Sequence, residues 1–182
     1  MMWNILTIII PAGVTVFGLL LNNRSMKKSF ANELEKQRRQ MNLEKMVTVP
    51  EEVLKLWEKL RKNPQSGIDR DFENLYNKIF AYGSKSAVDI IADMQQSIYM
   101  GESKFKDKDI NNEERTQWNL KILAHLVLLV VQTKYDTTGI LINPSSWYKL
   151  RITDYEETQS KFDPLSNEIV KNIGLKSDFL IP

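Results

Sequence analysis

Trp118-Asn119-Leu120-Lys121-Ile122-Leu123-Ala124-His125-Leu126-Val127-Leu128-Leu129-Val130-Val131 decides the fold class of this 182-residue chain. After Lys121 only His125 interrupts the apolar run before Gln132. Wound as a helix, the segment is apolar on nearly every face, which is what a helix surrounded by other helices shows. A membrane span is the obvious rival. The clean run is only about ten residues against the roughly 20 a bilayer core demands, and Lys121 and His125 flank or interrupt it. A buried parallel strand is the other rival, and the helical patterns on both sides argue against it. Glu113 and Glu114 open the helix, and Lys134 to Gly139 ends it.

Upstream, the patterns are helical. Pro50, Glu51 and Glu52 start a helix whose apolar face takes Val53, Leu54, Leu56, Trp57 and Leu60. Asn63 to Gly67 is a turn cluster. A second helix runs from about Asp69 to Tyr82, with Phe72, Leu75, Tyr76, Ile79 and Phe80 at helical spacing. Ser84 or Ser86 caps a third, which takes Val88, Ile91, Met94 and Ile98 inward and closes at Gly101. Residues 102–112 read as a loop.

Downstream, Asn143-Pro144-Ser145-Ser146 turns the chain and caps a short helix through Leu150. Thr153 to Ser160 reads as loop. Asp163-Pro164 starts a last helix with Leu165, Ile169 and Val170 inward, and Gly174 stops it. No segment alternates with period two. The expected fold class is all-α, a compact bundle of five or six helices around a central apolar helix, over residues 48–182.

The amino-terminal run, Trp3 to Leu21, predicts more. Residues 1–23 contain no Lys, Arg, Asp or Glu, and the run approaches the length of a transmembrane helix. Pro11, Gly13 and Gly18 are tolerated in such a segment. Arg24, Lys27 and Lys28 follow it, so charge places the N-terminus outside and the domain in the cytoplasm, tied to the cell membrane by a single pass. The same three cations are expected to meet anionic lipid headgroups. A cleaved signal is disfavoured by the missing basic n-region and an interfacial helix by the missing charged face, while a buried helix of a soluble domain is a further rival because the run is only just long enough to span.

Residues 24–47 contain no Pro or Gly and read as a basic helix continuing out of the anchor. Phe30, Leu34, Gln37 and Met41 fall at 4-3-4 spacing, a narrow seam that would pair two copies or rest on another surface. The expected domains are thus an anchor at 1–23, a juxtamembrane helix at 24–47 and a helical cytoplasmic domain at 48–182.

Chemistry is sparse. With no cysteine, disulfides, thiolate zinc sites and cysteine nucleophiles are excluded. A formal net charge of +2 makes a nucleic-acid partner a poor expectation. No Gly-rich phosphate loop, zinc-protease motif, EF-hand loop or nucleophile elbow is present. His125, the only histidine, reads as a hydrogen-bonded core residue. Asp69 with Glu73, and Asp89 with Asp93, share helix faces at four-residue spacing. Two such pairs on facing helices would bind a divalent cation, although solvated faces are the commoner outcome. Trp147, Tyr148, Lys149 and Arg151 concentrate aromatic and basic character, and Tyr155 lies close by.

These features predict a membrane-anchored interaction or accessory protein without catalysis or cofactor of its own. It would bind a protein partner or itself through Phe30, Leu34, Met41, Trp147, Tyr148, Lys149 and Arg151. The alternatives are a carboxylate–metal enzyme and a lipid- or nucleic-acid-binding module using the basic helix.

Overall fold

The computed structural model describes the backbone of residues 2–62, 69–105 and 112–182, and the side chains of residues 22–59, 71–101, 103–104 and 112–182. The helices are α1 (Met2–Met46), α2 (Val49–Lys62), α3 (Asp69–Tyr82), α4 (Lys85–Phe105), α5 (Asn112–Thr138), α6 (Pro144–Arg151) and α7 (Tyr155–Ile173), followed by a 3-10 turn at Ser177–Phe179. The chain divides into two units, Met1–Met41 and Asn42–Pro182.

Among the described residues the second unit is an all-α bundle of six helices, α2 to α7, built on α5. Every residue from His125 to Thr133 is buried, as are Ile122 and Ala124. That follows from the apolar run: α2, α4, α6 and α7 all pack on α5, so each of its faces meets a neighbour. Val53, Leu56 and Trp57 of α2 and Ala87, Ile90, Ile91 and Met94 of α4 point into this core. Each large apolar side chain buried there contributes on the order of 1.5–3 kcal/mol. Ser84 joins the ends of two helices. Its hydroxyl accepts from the Ala87 amide at 3.2 Å, capping α4, and donates to Asp136 of α5 at 2.7 Å. Phe80, which the spacing places on the apolar face of α3, is instead exposed.

The anchor is corrected. Among the described residues, no helix is long and apolar enough to cross a membrane. The side chains of 3–21 lie outside the described residues. Their backbone belongs to α1, which runs from Met2 to Met46. The described part of α1 is polar, with residues 22–45 exposed throughout. The single-pass topology, the outside N-terminus, the cytoplasmic placement, the membrane contact at 3–21 and the lipid contacts of Arg24, Lys27 and Lys28 therefore have no spanning helix to rest on. The membrane-anchored accessory role falls with them.

Two boundaries move for local reasons. The third predicted helix was to close at Gly101, but α4 continues to Phe105. Gly101 is a packing residue: a Cβ there would lie 2.2 Å from Nε1 of Trp118, whose indole crosses from α5 and donates to the Ser97 carbonyl at 2.8 Å. The expected 153–160 loop is mostly the start of α7, which begins at Tyr155 and carries Pro164 inside it. Proline removes the amide that would bond the Ser160 carbonyl. Both residues are exposed, on the side of α7 where solvent can take the place of the missing amide. Gly174 ends α7 in the left-handed region at φ 72°, with the Leu175 amide returning to Val170 at 3.0 Å.

Candidate functional site

The aromatic segment is held in place from its first residue. Asn143 accepts from the Ser145 amide at 2.9 Å, and Pro144 occupies the first turn, so α6 starts where the Asn-Pro pair dictates. Trp147 and Tyr148 then turn inward. Trp147 meets Trp57 of α2 edge-on, with ring centroids 4.6 Å apart. Tyr148 stacks on Tyr155 at 5.6 Å and leans on Phe162 at 5.1 Å. Its hydroxyl shares a 2.7 Å hydrogen bond with Ser166, and burial pushes its pKa up. Tyr155 donates to Asp163 at 2.6 Å, and its pKa is raised by desolvation and by that bond.

The structure thus separates the residues expected to form one surface. Trp147 and Tyr148 are core, whereas Lys149 and Arg151 are exposed. Phe30, Leu34 and Met41 are exposed on α1, in the other unit.

Beneath Arg151 lies a cleft of about 430 Å³ between α2, α5, α6 and α7. Trp57, Leu120, Leu123, Tyr148, Ile152 and Phe162 form its apolar floor, and Thr116, Arg151, Thr153, Asp154, Thr158 and Lys161 form its rim. Arg151 donates to Glu58 of α2 at 3.0 Å, which ties α6 to α2 beside the opening. Thr116 and Thr158 each donate to a carbonyl one helical turn back, at 2.8 and 3.0 Å. Arg151 and Lys161 outnumber the single rim carboxylate, Asp154, but Arg151 is engaged by Glu58, and the floor beneath them is apolar. Of this set, only Tyr148 and Arg151 were singled out from sequence. Thr158 was obscured by the expected loop, and Lys161 and Phe162 lay before the expected helix start at Asp163, although Tyr155, Thr158, Phe162, Leu165 and Ile169 carry a 3-4-3-4 spacing that marks one helix face.

A second cleft, between α2 and α3, is polar. Its charges are spent on each other: Lys78 reaches Glu52 at 2.6 Å and Lys59 reaches Asp71 at 2.7 Å.

The carboxylate–metal reading is corrected. Among the described residues, no group of three or more His, Cys, Asp or Glu is placed to hold a metal ion. The Asp69 side chain lies outside the described residues. Glu73 is exposed, Asp89 pairs with Lys85, and Asp93 turns to His125. His125 is fully buried, with Nδ1 2.7 Å from the Lys121 carbonyl and Nε2 2.8 Å from Asp93 Oδ2. No family model matches the chain, and it matches neither a curated protein nor a solved structure.

Proposed function

We propose that the bundle is a binding module that holds a small, largely apolar ligand in the cleft between α2, α5, α6 and α7. One observation carries this reading: a concave space of about 430 Å³, floored by Trp57, Leu120, Leu123, Tyr148 and Phe162, with a few polar groups at its mouth. Small-molecule sites have this size and composition, and burial of the ligand's apolar surface supplies the affinity. Thr153, Thr158, Arg151 and Lys161 would orient a polar end of the ligand.

The test is a titration with a neutral medium-chain alcohol, decanol, followed by calorimetry and tryptophan fluorescence. Trp57 in the floor is expected to report saturable binding. Thr158→Trp, which fills the cleft from α7, should weaken binding at least about tenfold, equivalent to roughly 1.4 kcal/mol, while the melting temperature stays near that of the parent. Absence of saturable binding, or equal binding by the filled variant, would overturn the reading.

A further inference from the structure

Most of the polar groups at the mouth of the α2–α5–α6–α7 cleft are already engaged. The Thr116 and Thr158 hydroxyls donate to the Asn112 and Asp154 carbonyls. Arg151 gives one guanidinium nitrogen to Glu58. Lys161 differs from these. It lines the cleft, and among the described residues it has neither an ion pair nor a hydrogen bond.

A partner stands ready on its own helix. Glu157 lies four residues before Lys161, the spacing and order that favour a helical ion pair. Glu35 with Arg39 and Glu51 with Lys55 share that spacing and order, and both pairs close. Glu157 and Lys161 do not. The ammonium is left instead to a cleft whose floor is Trp57, Leu120, Leu123 and Phe162.

We infer that the ligand of this cleft is a carboxylate on an apolar body, its head group held by Lys161, an inference that rests on the cleft being a ligand site. The apolar body lies on the floor, where burial favours it. Arg151 adds the N–H donors that Glu58 leaves over. One unpaired ammonium suits a monoanion better than a phosphate monoester, which carries nearly two charges.

Asp154, the rim carboxylate, opposes an anion. It stands at the start of α7, seven residues before Lys161, which is roughly 10 Å along the helix axis. Its repulsion acts across about that distance, beyond the Debye length of about 8 Å at physiological salt. The Lys161 ammonium, on its flexible four-carbon stem, reaches a carboxylate at contact. Attraction at about 3 Å exceeds repulsion at about 10 Å roughly threefold before screening, and salt widens the margin. A cationic ligand meets the reverse, with Lys161 and Arg151 both against it.

Three probes with the same ten-carbon chain and different head groups test this on the full chain at pH 7: decanoate, decanol and decylammonium, titrated by calorimetry. Decanoate is expected to bind about tenfold more tightly than decanol, the margin a charge-assisted hydrogen bond supplies, and decylammonium to bind most weakly. The ratio of decanoate to decanol affinity should shrink as salt rises. Lys161→Met keeps the aliphatic stem and should bring that ratio to about one. Lys161→Glu should invert the order of decanoate and decylammonium. Lys161 is exposed, so melting curves of both variants should match the parent, and the head-group series on the parent stands without them. Decanol that binds while decanoate binds no more tightly, or a preference that survives Lys161→Met, would overturn the inference and leave the cleft reading standing. Saturable binding by none of the three probes would overturn both.

Discussion

Nε2 of His125 lies 2.8 Å from Oδ2 of Asp93, so the chain's one imidazole joins α5 to α4 at the centre of the bundle. Its other nitrogen faces the Lys121 carbonyl. Both partners are oxygen acceptors, so a neutral ring satisfies one of them and a charged ring both. Burial pushes the ring's pKa below its ordinary value, against the pull of Asp93 and of the carbonyl. The sign follows. Between the lowered folded value and the unfolded value of about 6.5, the unfolded chain binds more protons. The stability His125 contributes is therefore complete above about pH 6.5 and is lost as pH falls through that window. The slope is at most about 1.4 kcal/mol per pH unit for one proton. His125→Gln should flatten the melting temperature between pH 5 and 7. Asp93→Asn should lower the imidazole's titration midpoint further, read by NMR on a single resonance. A wild-type melting temperature that ignores pH over this range would refute the argument.

Gly101 and Trp118 yield a prediction whose sign changes with background. Gly101→Ala places a methyl 2.2 Å from the Trp118 indole nitrogen and should destabilise by about 2–4 kcal/mol through overpacking. In a Trp118→Ala background the obstruction is gone. There the same change should stabilise by roughly 0.5–1 kcal/mol, because alanine is the better helix former. Chemical denaturation of the four chains measures the coupling, and additive effects would contradict the contact.

Gly101 also shows where the sequence misleads. A glycine near the end of an apolar pattern reads as a stop, and only the tertiary position of Trp118 converts it into a packing site. The same holds at Pro164, read as a helix start although the 3-4-3-4 spacing already ran through it. The central helix needed no such knowledge, since a run apolar on all faces has few alternatives to a position inside a bundle. For Trp147 and Tyr148, composition suggested a surface, but the Trp57 and Phe162 rings that bury them come from distant helices. The cleft was the least legible feature, because its lining comes from α2, α5, α6, α7 and the α6–α7 connection, and no local pattern joins them.

Two tyrosine-to-phenylalanine changes should move stability in opposite directions. The Tyr148 hydroxyl bonds Ser166, which is itself fully buried. Tyr148→Phe strands that serine and should cost about 1–3 kcal/mol. The Tyr76 hydroxyl is buried with no partner among the described residues, and burial raises its pKa. Tyr76→Phe removes an unsatisfied group and should be neutral or stabilise by about 1 kcal/mol. Urea titrations of both variants decide; a destabilised Tyr76→Phe would mean that the hydroxyl has found a partner.

The aromatic–basic segment splits in the same physical way. Trp147 is packed against Trp57, so Trp147→Ala should lose about 3–5 kcal/mol and lower the melting temperature before any effect on binding is measurable. Lys149, two residues further on, is exposed, and Lys149→Ala should stay within about 0.5 kcal/mol of the parent. Equal, small effects at both positions would place Trp147 on the surface after all.

The last segment is fastened by Asn167. Its side-chain amide donates to the Ile181 carbonyl at 2.9 Å, and its carbonyl oxygen accepts from the Ile181 amide at 2.8 Å. One asparagine thus serves both backbone groups of one residue, as a neighbouring strand would. Asn143 adds a bond to the Leu180 carbonyl at 2.9 Å, and Phe179 and Ile181 are buried beside it. Asn167→Asp keeps the shape but replaces the donor with an oxygen that faces the Ile181 carbonyl. It should therefore release the segment more than Asn167→Ala does, although it is the smaller change in volume. Hydrogen exchange at the Ile181 amide reads this directly, with protection expected in the parent and lost in both variants. Protection that survives Asn167→Asp would show that burial of Phe179 and Ile181, rather than the paired hydrogen bonds, fastens the segment.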